Sequence, residues 1–98
     1  MTQSQALQAI ESFMDSELKK KKAGRADYIS RISNSYKIAV EAVKNPGEKI
    51  RTSRQYSQGQ ASYEYGVLKV LQGSGIPYSR GNDAPRGGMR GDYIIVNI

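Results

Sequence analysis

The 98-residue sequence contains no cysteine, no histidine and no tryptophan. Without cysteine the chain can form neither a disulfide nor a thiolate nucleophile, and without cysteine and histidine it lacks the ligands of a typical zinc site. The absence of histidine also removes the commonest general base. No apolar run approaches the roughly 20 residues that a membrane-spanning helix requires. These absences exclude thiol chemistry, histidine-based catalysis and a transmembrane segment.

Other functional signatures are weak or missing. The nine carboxylates are scattered along the chain and form no recognisable metal-binding or acid–base pair. The glycine-rich stretch at 81–91 lacks the Gly-Lys-Ser/Thr ending of a phosphate-binding loop. Residues 1–9 lack the basic region and apolar run of a secretory signal. We therefore expect a cytoplasmic, nucleoid-associated protein that is not an enzyme and has no cofactor, metal, membrane partner or small-molecule ligand.

The clearest positive feature is the charge. Fifteen Lys and Arg residues against nine Asp and Glu give a net charge of +6. Such an excess favours polyanionic partners, although many soluble domains are basic. In residues 51–98 five of the six cations are arginine, and the planar guanidinium suits phosphate and guanine edges better than the lysine ammonium does. The charge is therefore compatible with a nucleic-acid partner.

Two amphipathic helices are predicted in the first half of the chain. Over residues 4–22 apolar side chains recur at steps of three and four, and Ser4 is the expected N-cap. Residues 27–44 have the most regular apolar stripe, with Asp27 as a possible cap. The helix should stop at Asn45, because a residue before proline is disfavoured in the α region.

A third helix is predicted over residues 60–72, and its buried face comprises Ala61, Tyr65, Leu68 and Leu71. Gly66 lies inside this helix and costs about 1 kcal/mol relative to alanine. Such a glycine is tolerable if another backbone, from protein or nucleic acid, comes close to it. The polar residues 48–56 predict a short helix or an irregular segment, and 57–59 predict a turn.

The end of the chain predicts a β-hairpin. Residues 76–80 form a short strand, with Pro77 favouring an edge, and residues 92–98 give the strongest strand signal in the sequence. The connecting loop, 81–91, carries arginines and has no capacity to bury itself. We expect a mobile loop that gains order only by binding.

The order of these elements predicts an α+β, mainly helical fold of the winged helix-turn-helix type. Three helices precede a C-terminal β-hairpin, the wing, and residues 4–22 add an extra amphipathic helix. Residues 48–56 and 60–72 would be the first helix of the motif and the recognition helix. We divide the chain into an N-terminal helical element, 1–24, and a winged-helix domain, 25–98.

From Tyr36 to Ile94 the sequence resembles small prokaryotic regulators of the Rrf2 type. The resemblance rests on a Pro/Gly turn, a helix with a tyrosine and paired leucines, and a Gly-Gly wing ending in tyrosine. The residues are Asn45-Pro46-Gly47, Tyr65, Leu68, Leu71, Gly75-Ile76, Ser79-Arg80-Gly81, Gly87-Gly88 and Tyr93. It implies a transcriptional regulator that binds double-stranded DNA. Because the chain has no cysteine, it does not imply the cysteine-ligated iron–sulfur cluster common in such regulators.

Three groups of residues are predicted to contact DNA. On and before the recognition helix, base and backbone contacts would come from Gln58, Gln60, Ser62, Tyr63 and Lys69. Before the turn, a phosphate clamp would consist of Arg51, Thr52, Ser53 and Arg54. On the wing, the backbone or minor groove would be met by Arg80, Arg86 and Arg90.

The tyrosines and the N-terminal helix have separate interpretations. Packing in the core is expected for Tyr28, Tyr36, Tyr65, Tyr78 and Tyr93. The apolar stripe of residues 4–22 must bury against its own chain or against a second copy, and we expect a homodimer. Two alternatives stay open: an RNA-binding or ribosome-associated protein, and a winged-helix protein-interaction module such as a phage-encoded inhibitor or an assembly factor.

Overall fold

Helices and a small antiparallel sheet make up the structure, a computed structural model that describes residues 1–20, 26–55, 61–62 and 64–98. The helices are α1 (Gln3–Lys19), α2 (Ala26–Lys44) and α3 (Glu64–Gly73). The strands are β1 (Ile50–Arg51), β2 (Arg54–Gln55), β3 (Ala61–Ser62), β4 (Tyr78–Asn82) and β5 (Asp92–Val96). This composition confirms the predicted α+β, mainly helical class. None of the helices in these ranges is both long and apolar enough to cross a bilayer.

Helix α1 begins with a capping box rather than at Ser4. The Thr2 hydroxyl accepts a hydrogen bond from the Gln5 backbone N–H, and the Gln5 side chain accepts one from the Thr2 N–H. The prediction of Ser4 as N-cap is wrong, because Ser4 already lies inside the helix and only Thr2 stands three residues before a glutamine that can reciprocate.

The apolar stripe of α1 is buried within the same chain. Ala6, Ile10 and Met14 belong to the cluster that also contains the core side chains of α2, α3 and the sheet. The Phe13 ring lies against Gly73, where an added β-carbon would be 2.2 Å from it. The stripe is therefore buried within its own chain. Its burial does not require the second copy that the predicted homodimer would supply.

Helix α2 ends as predicted. The Asn45 side-chain amide donates to the Glu41 carbonyl at 2.8 Å, and Gly47 has a φ of +83°. The Gly47 N–H donates to the Val96 carbonyl, which ties the turn to β5. Since α2 already includes Ala26, Asp27 lies inside the helix and is not its cap.

Two short strands with irregular backbone between them lie within 48–55, where a short helix or an irregular segment was predicted for 48–56. Ile50 of β1 pairs with Ile94 of β5, and Arg54 of β2 pairs with Ser62 of β3. The reason is alternation: Ile50 and Thr52 are buried while Arg51 is exposed, which suits a strand and gives a helix no continuous apolar face. The described residues 48–55 therefore lack the helix that was predicted as the first of the motif, and the turn predicted at 57–59 lies outside the described residues.

Helix α3 starts four residues later than predicted, and of the predicted buried face it buries Leu68 and Leu71. Ala61 belongs to β3, and the buried helix residues are Val67, Leu68, Val70 and Leu71. Tyr65 is 80% exposed, so its assignment to the core is wrong. The helix packs against α2 and α1, which widens its buried arc beyond one stripe and draws in the two valines.

The three-stranded sheet has the order β1-β5-β4 with antiparallel pairs. Ile94 and Val96 of β5 enter the core, whereas Tyr93 and Ile95 on the opposite face are partly exposed. The hairpin prediction is confirmed, with β4 displaced toward the loop by about two residues because Gly81 and Asn82 pair with Tyr93 and Asp92. The sheet places the loop between β4 and β5 at one end of the molecule.

Candidate nucleic-acid interface

Two side-chain contacts fix the direction of α3 beside the hairpin. Glu64, the first residue of α3, pairs with Arg80 in the middle of β4, with Oε1 2.6 Å from Nη2. Gln72, near the last turn, donates to the Tyr78 hydroxyl at 2.7 Å, at the start of β4. The helix and the strand therefore run antiparallel, and the N-terminus of α3 lies toward the wing.

The outward face of α3 consists of Tyr65, Lys69 and Gln72, which are spaced by four and three residues. Tyr65 and Gln72 are exposed, and Lys69 lies 3.6 Å from a carboxylate oxygen of Glu17 on α1. With Phe13 these residues line an open groove of about 630 Å³. Lys69 was predicted from the sequence, whereas Tyr65 and Gln72 were missed. The sequence pattern could have identified both, because the polar positions 69 and 72 continue the helical stripe that begins at Tyr65.

The loop between β4 and β5, here called the wing loop (residues 83–91), is ordered by Asn82. The Asn82 Oδ1 accepts from the Ala84 N–H at 2.9 Å, and its Nδ2 donates to the Gly88 carbonyl at 2.9 Å and to Asp92 Oδ1 at 2.8 Å. The Gly87 and Gly91 N–H groups also bond within the loop. The prediction that this loop orders only by binding is wrong, because one amide side chain and several backbone bonds already hold it.

A second tie joins the wing loop to β1. Arg51 donates from Nη1 and Nη2 to the two carboxylate oxygens of Asp83, at 2.7 and 2.9 Å, and from Nη1 to the Gly91 carbonyl. The hydrogen bond from Arg51 is the main cause that lowers the pKa of Asp83, with partial desolvation opposing it and the charges of Arg51 and Lys49 adding to it. The same bond raises the pKa of Arg51. Arg51 thus binds both the first residue of the wing loop, Asp83, and the last, Gly91.

Cross-strand contacts support the base of the wing. The Tyr93 ring lies over Gly81, where an added β-carbon would be 2.4 Å from the phenol oxygen. Lys49 Nζ lies 4.7 Å from the centroid of the same ring, a distance at which a cation is attracted to the aromatic face. The strands that carry the wing loop are therefore held by side chains as well as by the backbone ladder.

Arg86 and Arg90 are the accessible cations of the wing loop. Both are exposed, and neither lies within salt-bridge distance of a carboxylate among the described residues. Met89, between them, is 59% exposed. These two guanidinium groups are available to an external anion without first leaving an internal partner.

Of the other residues predicted to contact DNA, some are ion-paired or buried, one lies in a strand, and three lie outside the described residues. Arg54 pairs with Glu41 at 2.7 Å, and Arg80 with Glu64. Thr52 is fully buried, which removes its side chain from the proposed clamp, and the Ser53 hydroxyl is also buried. Ser62 lies in β3 rather than on a recognition helix. Gln58, Gln60 and Tyr63 lie outside the described residues.

The described residues contain no group of three or more metal-ligating side chains that could hold an ion. Comparison of the chain with family models, with curated proteins and with solved structures finds no match. The function must therefore be argued from the geometry of α3 and the wing loop.

Proposed function

We propose that this protein binds double-stranded DNA through a winged-helix domain, as a transcriptional regulator or a DNA organiser. The observation that carries the proposal is the hydrogen-bonded wing loop, which exposes Arg86 and Arg90 with no carboxylate partner in the described structure. In helix-turn-helix proteins the first residues of the recognition helix contact base edges. The antiparallel sheet β1-β5-β4 and the helix before it support the winged-helix assignment.

In this proposal α3 enters the major groove with Tyr65 and Lys69 facing the DNA. The lysine ammonium can bind phosphate or guanine, and the tyrosine can reach a phosphate or a thymine methyl group. The major groove of B-form DNA admits a helix, whereas that of A-form RNA is too deep and narrow for side chains to read. The exposed face of a ten-residue helix beside the wing therefore favours duplex DNA over RNA.

The wing arginines would neutralise phosphates or enter a narrow minor groove. Each neutralised phosphate contributes about −0.9 to the slope of log K against log salt concentration. Arg54 and Arg80 are engaged by Glu41 and Glu64, so they contribute less than their charge suggests. Lys69 also lies within ion-pair distance of Glu17, so the salt dependence of binding should be dominated by Arg86 and Arg90.

Fluorescence anisotropy with a labelled duplex at several salt concentrations tests the proposal. The variant Arg86→Gln with Arg90→Gln should bind at least tenfold more weakly, and its salt slope should fall by about 1.8. The matched control is Lys37→Gln with Lys44→Gln, which removes the same charge from exposed positions on α2. Equal losses in both variants, or no duplex binding at low salt, would overturn the proposal. Preference for structured RNA would do so too.

A further inference from the structure

We infer that Arg51, Asn82 and Asp83 are positioning residues that hold the wing loop in its DNA-binding shape before DNA arrives. This inference rests on the proposed function. It also assigns an unusual role to Asp83, a carboxylate on the DNA-binding side that strengthens the binding of a polyanion. The residues themselves need not touch the DNA.

Asn82 fixes the loop from inside. Its three hydrogen bonds reach the first part of the loop at Ala84, the middle at Gly88 and the start of β5 at Asp92. The loop is also closed tightly, because a β-carbon at Gly91 would lie 2.4 Å from the Ala84 nitrogen. One amide side chain thus sets the path on which Arg86 and Arg90 are carried.

Arg51 and Asp83 fix the loop from outside. The guanidinium binds the Asp83 carboxylate with two hydrogen bonds and the Gly91 carbonyl with a third, so β1 holds the first and last residues of the wing loop together. Lys49 adds a longer contact to Asp83, at 3.8 Å. A guanidinium occupied in this way is poorly placed to act as the phosphate clamp predicted for Arg51, and its geometry fits a structural brace.

Preorganisation matters because ordering a flexible loop on binding costs conformational entropy for every residue fixed. When the free protein already holds the loop, that cost is met during folding and does not reduce the affinity. Loss of the contacts made by Arg51, Asn82 and Asp83 should therefore weaken DNA binding, although Arg86 and Arg90 remain and still reach the same phosphates.

Electrostatic repulsion alone predicts the opposite effect on DNA affinity when the Asp83 charge is removed. Replacing a carboxylate near DNA with a neutral amide removes a repulsion and releases Arg51 and Lys49 for the phosphates, so Asp83→Asn would tighten binding. Positioning predicts that Asp83→Asn weakens it. Glu48→Gln is the matched control, since Glu48 is exposed and has no ion-pair partner in the described ranges.

The experiment measures duplex affinity and salt slope for Asp83→Asn, Asn82→Ala, Glu48→Gln and the Arg86/Arg90 double variant. We expect Asp83→Asn and Asn82→Ala to weaken binding by about 5- to 20-fold with an unchanged salt slope, because the phosphate contacts remain. Glu48→Gln should leave binding unchanged or slightly tighter. The arginine variant should lower the slope, which distinguishes contact residues from positioning residues.

A variant that keeps every charge guards against misfolding. Arg51→Lys preserves the cation but cannot make the two-pronged contact with Asp83, so it should weaken binding with the slope unchanged. If Arg51 instead acts as a point charge on a phosphate, Arg51→Lys will bind like the wild type, and the inference fails. It also fails if Asp83→Asn binds as tightly as Glu48→Gln. If the Arg86/Arg90 variant alone shows no loss, the proposed function fails instead.

Discussion

Gly66 of α3 lies so close to Ser35 of α2 that a β-carbon at position 66 would be 2.3 Å from the Ser35 hydroxyl oxygen and 3.2 Å from its β-carbon. The glycine thus sets the spacing of the two helices on which the outward face of α3 depends. The sequence predicts a close backbone at this position, and the neighbour in the structure is a protein side chain instead. Glycine weakens the helix but avoids this overlap with Ser35.

We expect Gly66→Ala to lower the free energy of unfolding by about 1 kcal/mol. Alanine gains about 1 kcal/mol in helix propensity, but overpacking costs about 1–3 kcal/mol. In a Ser35→Ala background the hydroxyl is gone and the penalty should shrink or change sign. A double-mutant cycle from urea denaturation measures this coupling. Equal effects of Gly66→Ala in both backgrounds would show that the contact with the Ser35 hydroxyl does not limit the helix spacing.

Burial of the α1 stripe makes a prediction about oligomeric state. Ile10 is fully buried within one chain, so Ile10→Ala should cost about 2–5 kcal/mol. Leu18→Ala, at a position 43% exposed, should change stability by about 0.5 kcal/mol or less. Both unfolding midpoints should be independent of protein concentration. If the wild-type midpoint rises with protein concentration and that of Ile10→Ala does not, the result would support the predicted dimer through α1.

The residues explain what the sequence could and could not predict. The C-terminal end of α2 and the hairpin followed from Pro46, from the glycines and from the β-branched residues of β5, all of which act locally. The strand at Ile50 was missed because a two-residue strand exists only through its pairing with Ile94, which is a long-range contact. Tyr65 was misassigned because periodicity gives a face but not which neighbours cover it. The Arg51–Asp83 pair joins residues 32 positions apart, a distance at which composition gives no signal.

The shifted pKa of Asp83 predicts how the stability of the wing depends on pH. Because Arg51 lowers this pKa from its ordinary value of 3.8, the pair stabilises the folded state above pH 3.8. That contribution is lost as the pH falls through the lower, folded-state pKa. The melting temperature of Asp83→Asn should lie below that of the wild type at neutral pH. The gap should close only below about pH 3.8, when the wild-type carboxylate becomes protonated.

Thermal melts of both proteins between pH 7 and pH 2 provide this measurement. Asp92→Asn is a useful comparison, since Asp92 accepts from Asn82 but has no arginine partner in the described structure. A gap that stays constant across the acid range would mean that the Asp83 charge does not stabilise the wing. The brace would then have to rest on the neutral hydrogen bonds of Asn82.

A substitution at Tyr65 should affect DNA binding but not stability, because its side chain is 80% exposed on the outward face of α3. Tyr65→Ala should change the free energy of unfolding by about 0.5 kcal/mol or less and weaken duplex binding by roughly tenfold, as expected for a tyrosine at the centre of an interface. Tyr36→Ala is the control, since Tyr36 packs against the core and its loss should cost about 2 kcal/mol or more. If the two variants are destabilised equally, position 65 packs as its periodicity suggests. If Tyr65→Ala is stable and binds normally, α3 does not present this face to DNA, and the wing alone must account for the affinity.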